Sequence, residues 1–297
     1  MENITYYAPA KVNFSLRIGR KEPGGLHKIH SLMRKIGITD KISFKIREDG
    51  YKIKAVSGAV LKNSGMEADL QSISNENNII VKTAKVFFNK LNIKDKGIEA
   101  LIEKNIPFNA GLGGGSSDGA GLLLKLNEAY NNILEKVELR KLALKTGSDV
   151  PFFLTEGDAI VSGFGENIKE IETGELPKYY IVLIIPDFGI STKEAYADYD
   201  DFLLTNNINY YNIQYLDFRD LEFENDFERV MLKKYPVLKE IKESLILNGA
   251  ELSLLSGSGS AIFGAFKTEK SANSYLNNLK SFRFYHRVRL SYSTETL

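Results

Sequence analysis

A glycine-rich loop at residues 111–117 carries the clearest chemical signal in this sequence. Gly111 and the glycines at 113–115 precede Ser116 and Ser117. Because glycine has no Cβ, successive backbone N–H groups in such a loop can approach phosphate oxygens closely. A helix is predicted to begin near Ser116, and its first N–H groups and its dipole favour a bound anion. The loop therefore predicts a phosphate site, whereas a plain turn between strand and helix is the alternative and needs fewer glycines.

The loop differs from the two commonest phosphate-binding motifs. No lysine follows its final glycine, so the G-x-x-x-x-G-K-[ST] pattern is absent. The loop also follows a long strand-rich start, which does not fit a dinucleotide fingerprint at the beginning of a βαβ unit. A different nucleotide-binding fold is therefore expected.

The bulk composition excludes several classes of protein. The chain has 297 residues, which is comfortable for two domains, and its 43% hydrophobic and 26% charged residues exclude wholesale disorder. A net charge of +1 provides no global field for nucleic acid, so no nucleic-acid partner is expected. The absence of cysteine excludes disulfides, thiolate zinc sites and cysteine nucleophiles, and it fits a reducing cytosol.

No segment of the sequence indicates export or membrane insertion. The amino terminus lacks a basic region followed by an apolar stretch, as a signal peptide would have. The longest apolar run, at about residues 179–186, is far shorter than the roughly 20 residues of a spanning helix. It is expected to be a buried strand, and the protein is expected to be cytoplasmic without membrane contact.

The elements that position the loop follow from the hydrophobic pattern. Strands are predicted at residues 4–20, 28–55, 98–102, 179–185 and 262–266. Apolar residues at helical spacing predict a helix from Ile80 to Leu91, with asparagine at 77 or 78 as its cap. Residues 56–75 are interpreted as an irregular loop.

Further helices are predicted after the glycine loop and in the second half of the chain. They lie at residues 137–146 and 226–248, the latter interrupted at Pro236 and ended by Gly249. Ser191 and Glu194 have capping-box spacing for a helix that carries Tyr196. Mixed strands and helices throughout favour an α+β protein in two lobes.

Three short motifs resemble the GHMP kinase superfamily, which includes galactokinases, homoserine kinases and mevalonate kinases. In chain order they are Pro9-Ala10-Lys11-Val12-Asn13, then residues 107–117, then the glycine-serine motif at residues 255–260. The resemblance implies a two-lobed GHMP kinase fold. It has an ATP-binding amino-terminal lobe at residues 1–157 and a ferredoxin-like carboxy-terminal lobe at residues 158–297. It also implies ATP and Mg²⁺ as cofactors.

One branch of the superfamily is most similar. Its members phosphorylate the 2-hydroxyl of a cytidine diphosphate-linked methylerythritol for the non-mevalonate isoprenoid pathway. Residues 11–16, 20, 25–27 and 31–32 resemble its amino-terminal signature, and residues 147–151 resemble its G-A-D-V-P segment. Asn225-Asp226 resembles its N-D pair. The alternatives are a mevalonate- or homoserine-type kinase and a non-catalytic RNA-binding protein of related fold.

The resemblance assigns catalysis to Lys11 and Asp149. Asp149 is expected to take the proton from the acceptor hydroxyl. Lys11 is expected to keep Asp149 ionised and to offset charge at the phosphoryl group. The residues expected at ATP are Asn78, Ile79 and Lys104, near the adenine end, and Pro107, Phe108, Asn109, Ala110, Gly111, Leu112, Gly113, Gly114, Gly115, Ser116 and Ser117, in the phosphate loop. No protein ligand is assigned to Mg²⁺, because this ion is held chiefly by the nucleotide.

The resemblance also implies a small-molecule acceptor site for the cytidine diphosphate-linked substrate. The residues expected there are Asn13, Leu26, His27, Thr192 and Tyr196. His27 is expected to pair with the edge of the cytosine, because imidazole has one donor and one acceptor nitrogen. The branch usually has an aromatic residue where this chain has Leu26, which leaves Tyr196 as the aromatic partner of the base. The sequence does not indicate an oligomeric state.

Overall fold

The computed structural model describes residues 3–62, 64, 70–213 and 217–297. The described residues divide into two compact units. The first unit draws on residues 1–10, 38–107 and 113–156, and the second on residues 11–37, 108–112 and 157–297. Two long strands, β1 (Ile4–Lys21) and β2 (His27–Arg47), contribute to both units. The division at residues 157 and 158 stays a prediction.

The first unit contains a sheet in which strands β3 (Tyr51–Ser57) and β4 (Gly97–Lys104) continue from β2. β2 and β4 are antiparallel, from Lys41 opposite Glu103 to Arg47 opposite Gly97, while β3 runs parallel to β4. The alternating apolar residues of β2 face those of β4 across the pair, as Ile42 with Ile102 and Phe44 with Ala100. All four are buried, so the alternation predicts the inward face correctly.

Four helices accompany this sheet, α1 (Leu70–Ile73), α2 (Ile79–Lys90), α3 (Gly114–Ala129) and α4 (Lys136–Thr146). A short 3₁₀ segment, Pro151–Leu154, follows α4. The predicted helix with the buried residues Ile80, Ala84, Phe87 and Phe88 is confirmed as α2. Its cap is Asn78, whose Oδ1 accepts a hydrogen bond of 2.9 Å from Ile80 N.

The predicted loop at residues 56–75 is replaced in part by regular structure. β3 extends to Ser57 and α1 begins at Leu70. A serine hydroxyl connects the two, because Ala55 N donates to Ser74 Oγ over 3.0 Å. Residues 63 and 65–69 of this predicted loop lie outside the described residues.

The second unit begins with two strands that extend β2 on its other side. β5 (Ala159–Gly163) pairs antiparallel with residues 29–33 of β2, and β6 (Asn167–Glu170) pairs antiparallel with β5. A separate antiparallel sheet follows, formed by β7 (Tyr180–Pro186), β8 (Leu252–Leu255), β9 (Ile262–Phe266) and β10 (Val288–Glu295). Its order is β10-β7-β9-β8.

Helices connect the strands of this second sheet. They are α5 (Thr192–Thr205), α6 (Glu228–Lys234), α7 (Pro236–Leu247) and α8 (Glu269–Asn278), with 3₁₀ segments at Phe218–Asp220, Leu279–Ser281 and Arg283–Arg287. The helices lie between β7 and β8 and between β9 and β10, which with the strand order gives the βαββαβ arrangement. The expected ferredoxin-like fold is confirmed for this part of the chain.

The most apolar run of the sequence forms β7, an interior strand of this sheet. Residues 181–184 of β7 are fully buried, and the strand pairs with β10 on one side and β9 on the other. The expectation of a buried strand is therefore confirmed. Among the described residues, no helix has the length and apolar character that crossing a membrane requires.

The predicted capping box of α5 is wrong, although the helix begins where the box places it. Ser191 is the cap residue, but its side chain makes no cap hydrogen bond. The Glu194 carboxylate instead accepts a hydrogen bond of 2.7 Å from Lys234 Nζ on α6. The Glu194 carboxylate, which the capping box requires, is therefore engaged in a long-range ion pair. The break at Pro236 and the end at Gly249, with φ of 98°, are confirmed.

Candidate active site

The glycine loop leads into a helix whose first turn has no side-chain cap. Gly113 is the cap residue of α3, with φ of 70°, in the left-handed region that glycine tolerates. As a glycine, Gly113 makes no side-chain cap hydrogen bond to the first N–H groups. α3 begins at Gly114, earlier than the predicted start near Ser116. The first turn is therefore made of glycine and serine, and its N–H groups remain available to an anion.

Gly114 lies against the end of β4 and has no space for a side chain. A Cβ at this position would lie 2.9 Å from Ile106 Cγ2 and 3.3 Å from Lys104 Nζ. A Cβ at Gly115 would meet only Ile79 Cγ2, at an ordinary 3.7 Å. The absence of a side chain at Gly114 thus allows the start of α3 to pack directly on β4.

The part of the loop at residues 108–112 belongs to the second unit, where it meets the third glycine motif. A Cβ at Gly111 would lie 1.9 Å from the carbonyl oxygen of Ser256. Ser256 Oγ donates to Gly111 O over 3.0 Å, and Ser260 N donates to Asn109 O over 3.3 Å. Ala261 N likewise donates to Ala110 O. Two motifs that are far apart in the sequence therefore form one backbone assembly.

Lys11 is a buried lysine at the start of a polar chain in the second unit. Its backbone N–H donates to Leu112 O over 2.9 Å, which ties β1 to the loop. Its Nζ donates to Asn13 Oδ1 over 2.6 Å, and Asn13 Nδ2 donates to Ser31 Oγ over 2.8 Å. A Cβ at Gly257 would lie 3.3 Å from Lys11 Nζ. The ammonium is thus oriented by Asn13 beside a glycine.

The Asn225-Asp226 pair, which resembles the N-D pair of the branch, makes hydrogen bonds to the backbone of two other segments. Asn225 Nδ2 donates to the carbonyl oxygens of Leu255 and Gly257, each over 2.7 Å. Its neighbour Asp226 accepts from the Ile18 N–H over 2.8 Å. The pair therefore fixes the glycine-serine motif and β1. Sequence reasoning noted these two residues without assigning them a role.

Asp149 occupies a turn in the first unit. The turn follows α4, and Val150 N donates to Gly147 O over 3.2 Å. A Cβ at Gly147 would lie 3.7 Å from Ile79 Cδ1 and 4.0 Å from Ser116 Oγ. The turn that carries Asp149, which is half-buried, therefore lies beside the first turn of α3. The structure describes Asp149 within the first unit and Lys11 within the second.

The three residues expected at the adenine end of ATP lie in the first unit, in different settings. Asn78 caps α2 and donates from Nδ2 to Ile73 O over 2.7 Å. Ile79 is half-buried and faces the glycines of α3. Lys104 is buried, and its Nζ contacts the carboxylates of Asp40 and Asp118. No local pattern in the sequence indicates these two carboxyl groups as partners of Lys104.

The residues expected at the acceptor base form an aromatic cluster in the second unit. The rings of His27 and Tyr196 are stacked, with centroids 4.9 Å apart and planes at 15°. His27 Nδ1 lies 3.0 Å from Gly19 O, and because a carbonyl oxygen only accepts, Nδ1 carries the proton. Its Nε2 is buried 3.2 Å from Asp200 Oδ1, a neighbour that the sequence did not predict.

Open space lies next to this cluster. Leu26 is 60% exposed, so the position where the branch has an aromatic ring is available to a ligand. A cavity of about 530 Å³ is lined by Arg20, Tyr210 and residues at the end of α5. Tyr210 OH donates to the same Asp200 carboxylate over 3.0 Å. Thr192 Oγ1 lies 3.1 Å from Ser258 Oγ, so this expected acceptor residue meets the glycine-serine motif.

A magnesium ion fits this donor set only as a partner of the nucleotide. Within the described ranges, no group of three or more acidic or histidine side chains is arranged to hold a metal ion. Ser117 Oγ is buried near the start of α3 and has no hydrogen-bond partner in the described part of the chain. A hydroxyl in that position can donate to a phosphate oxygen, and a magnesium ion would then be held by the phosphates.

Comparisons with known proteins cover both halves of the chain. Residues 78–157 match the GHMP kinases N terminal domain, and residues 212–285 match GHMP kinases C terminal. The 4-diphosphocytidyl-2-C-methyl-D-erythritol kinase of Thermodesulfovibrio yellowstonii is 36% identical over 291 residues, covering 94% of this chain and 95% of that protein. The chain belongs to the GHMP kinase family. A protein of the same name from Clostridium novyi is 36% identical and covers 88% of this chain and 90% of its own.

Solved structures agree with this family membership. A crystal structure of 4-(cytidine 5'-diphospho)-2C-methyl-D-erythritol kinase has a TM-score of 0.73 and 25% identity, over 99% of this chain and 100% of that one. A homoserine kinase from Cytophaga hutchinsonii has a TM-score of 0.66 at 16% identity, covers 100% of this chain and 95% of its own, and supports the fold alone. This GHMP kinase is therefore a small-molecule kinase that uses ATP, as the sequence motifs predicted.

The two adjacent glycines provide a matched test of the loop in this GHMP kinase. Gly114→Ala should raise the Kd for ATP by about tenfold or more, because the new Cβ displaces the start of α3 from Ile106. Gly115→Ala is the control, since its Cβ has an ordinary contact only. Calorimetric titration with ATP measures both variants. Equal ATP affinity for Gly114→Ala and the wild type would mean that this packing does not govern the phosphate site.

Proposed function

We propose that this GHMP kinase transfers the γ-phosphoryl group of ATP to the 2-hydroxyl of 4-diphosphocytidyl-2-C-methyl-D-erythritol, as a step in isoprenoid precursor synthesis. The observation that carries the proposal is the similarity to kinases named for this substrate, at 36 and 37% identity over 94 and 89% of the chain. Homoserine and mevalonate kinases of similar fold share only 16 and 13%. Sequence similarity therefore favours the cytidine-linked acceptor.

The first step of the mechanism is binding of the nucleotide phosphates. The uncapped N–H groups at the start of α3 and the hydroxyls of Ser116 and Ser117 donate to phosphate oxygens. The helix dipole adds positive potential at the same place. A bound Mg²⁺, held by the nucleotide, would offset negative charge on the phosphates. Ser117 Oγ, which is buried without a partner in the described residues, is suited to donate to a phosphate oxygen.

The second step is transfer to the acceptor hydroxyl, with Asp149 as base. Its carboxylate accepts the proton as the oxygen–phosphorus bond forms and the bond to the leaving ADP breaks. Lys11 provides positive charge that stabilises the transferred group, and Asn13 orients its ammonium through the 2.6 Å hydrogen bond. Phosphoryl transfer depends mainly on such positioning and electrostatics, because little covalent chemistry is required of the protein.

The third part of the proposal concerns the cytidine end of the acceptor. The stacked pair of His27 and Tyr196 offers an aromatic surface, and Leu26, which precedes His27, is exposed. Asn13 and Thr192 are proposed contacts of the acceptor nearer the transferred group. Because the Tyr196 ring already stacks on His27 and packs edge to face with Phe227 at 4.9 Å, stacking of the base on Tyr196 requires the imidazole to move.

The cellular setting is part of the same proposal. The near-neutral charge of the chain and its small-molecule acceptor support a cytoplasmic enzyme without nucleic-acid or membrane partners. The fold alone also permits a non-catalytic RNA-binding protein. Retarded RNA mobility without any ATP turnover would favour that alternative.

A direct assay separates the candidate acceptors. The protein is incubated with ATP, Mg²⁺ and 4-diphosphocytidyl-2-C-methyl-D-erythritol, and phosphorus NMR identifies the 2-phosphate product. Mevalonate and homoserine serve as competing acceptors in parallel reactions. Turnover of either one in preference to the cytidine-linked acceptor would replace the proposal with the corresponding kinase.

The assignment of Asp149 as base predicts a specific loss. Asp149→Asn preserves the shape of the side chain but removes the proton acceptor, so kcat should fall by about 10²-fold or more. Ser148→Ala, at an exposed residue in the same turn, is the matched control and should retain wild-type kcat. Steady-state kinetics with the cytidine substrate measures both. Near-native kcat in a folded Asp149→Asn enzyme would remove Asp149 from the mechanism.

The assignment of Tyr196 predicts a change confined to KM. Base–aromatic stacking contributes about 1–3 kcal/mol, so Tyr196→Ala should raise the acceptor KM by about tenfold with little change in kcat. Tyr196→Phe keeps the ring and is the control. Leu26→Tyr should lower KM by about threefold, since it adds a second ring. Identical KM values for Tyr196→Ala and Tyr196→Phe would place the base elsewhere.

A further inference from the structure

Three ionisable side chains are buried together in the first unit, next to the start of α3. They are Asp40 of β2, Lys104 at the end of β4 and Asp118 of α3. Lys104 Nζ donates to Asp118 Oδ2 over 2.9 Å and also to Asp40 Oδ2. Buried charges of this kind are costly unless their partners balance them. We refer to these three side chains as the loop clamp.

The loop clamp holds the chain on both sides of the glycine loop. Before the loop, Asp40 Oδ1 accepts hydrogen bonds from Asn105 N over 2.6 Å and from Ile106 N over 2.9 Å. After the loop, Asp118 belongs to the first turns of α3, where Lys104 Nζ would lie 3.3 Å from a Cβ at Gly114. One ammonium therefore connects the residues that lead into the loop with the helix that leaves it.

We propose that Lys104, Asp40 and Asp118 position the phosphate loop from beneath, with Lys104 acting as a positioning residue rather than as a contact of the nucleotide, and with Asp118 holding a proton. The proposal rests on the proposed function only in that the loop binds ATP. It replaces the expectation that Lys104 lies at the adenine.

The hydrogen bonds decide which carboxyl group holds the proton. Asp40 accepts three, from Lys104 Nζ and from two backbone N–H groups. Asp118 Oδ1 is buried and accepts none from the described residues. A cluster of one ammonium and one carboxylate is neutral, whereas ionisation of Asp118 would leave a net negative charge out of water. The proton therefore belongs on Asp118.

The effects of burial and of neighbouring charges on the pKa values also favour a protonated Asp118. Burial raises the pKa of Asp118 to about 8; the Lys104 charge opposes this shift and the Asp40 charge adds to it. Burial lowers the pKa of Lys104, but the charges of Asp118 and Asp40 outweigh this and raise it overall. Burial also raises the pKa of Tyr6, whose hydroxyl donates to Asp118 O over 2.7 Å. With this pKa, Asp118 holds its proton at pH 7.

The first test separates a positioning role from a contact with adenine. ATP and adenosine are titrated into the wild type and Lys104→Met, with adenosine measured by competition. A loop clamp predicts that Lys104→Met raises the Kd for ATP by about tenfold and changes that for adenosine by less than about twofold. A contact with adenine predicts an equal loss for both ligands, and this result would overturn the proposal.

A pair of variants at Asp118 tests the proton. The amide oxygen introduced by Asp118→Asn can still accept a hydrogen bond from Lys104, so this variant should keep most of the ATP affinity that Asp118→Leu loses. Asp40→Asn should resemble Asp118→Leu, because it places an amide donor against backbone donors. Equal losses for Asp118→Asn and Asp40→Asn would mean that both carboxylates must be charged, contrary to the proposal.

Urea unfolding as a function of pH provides a readout that needs no ligand. From about pH 5 to about pH 8, folded Asp118 keeps a proton that the unfolded chain has lost. Stability therefore falls as the pH rises, because the folded state binds more protons. The unfolding constant of the wild type should rise, relative to Asp118→Asn, by up to about tenfold per pH unit. Parallel pH profiles for the two proteins would overturn the proposal.

The results of these measurements do not depend on which acceptor the kinase phosphorylates. Unfolding and ATP binding do not involve the cytidine substrate. A kinase that binds ATP but ignores the cytidine-linked acceptor would contradict the proposed function and leave the loop clamp intact. Conversely, the wild type could phosphorylate the cytidine-linked acceptor while Lys104→Met loses affinity for ATP and adenosine equally. That result would contradict the loop clamp alone.

Discussion

A glycine at the cap leaves the first backbone N–H groups of α3 without a side-chain acceptor from that residue, and the structure around the turn compensates for this. A serine, threonine or aspartate at the cap would use one of those groups, whereas Gly113 provides no competing acceptor. The cost is a helix start without local stabilisation, in a segment whose glycines lose much conformational entropy on folding. Stabilisation then has to come from residues beneath the turn. Ile106 packs on Gly114, and the ion pairs of Lys104 fix Asp118 to the end of β4.

In the second unit, close backbone contacts stabilise the glycine-serine motif at residues 255–260. Gly111 has no space for a Cβ because the carbonyl oxygen of Ser256 would lie 1.9 Å away, and the serine hydroxyl donates back to Gly111 O. Asn225 then holds the following residues by donating to two of their carbonyl oxygens. The small residues of the glycine-serine motif are thus explained by close approach of two chain segments. The same closeness leaves Lys11 Nζ beside Gly257, where a side chain would crowd the ammonium.

Local patterns in the sequence predict local structure well. The apolar spacing of α2, its Asn78 cap and the break at Pro236 depend on neighbouring residues, and the structure confirms them. The capping box at Ser191 fails because Glu194 binds Lys234, a residue too distant in the sequence for any local rule. The final strand β10 pairs with β7 across about a hundred residues, and neither strand alone indicates that pairing. Motif resemblance supplied the ferredoxin-like fold and the candidate residues, but it could not supply their contacts.

Two of the buried lysines show where sequence reasoning on the site reaches its limit. Lys11 and Lys104 both lie in strands and both are 3% exposed, and the resemblance predicts Lys11 at the transferred phosphoryl group and Lys104 near the adenine. The charge of Lys104 is compensated by carboxylates 64 and 14 residues away along the chain, so it contributes little net attraction for a phosphate. Lys11 donates a hydrogen bond of 2.6 Å to the amide oxygen of Asn13, and this bond orients the ammonium. A buried cation between two carboxyl groups holds elements of the fold together, which is a different role from binding a ligand. Because those partners are distant in sequence for Lys104, only the folded chain distinguishes the two roles.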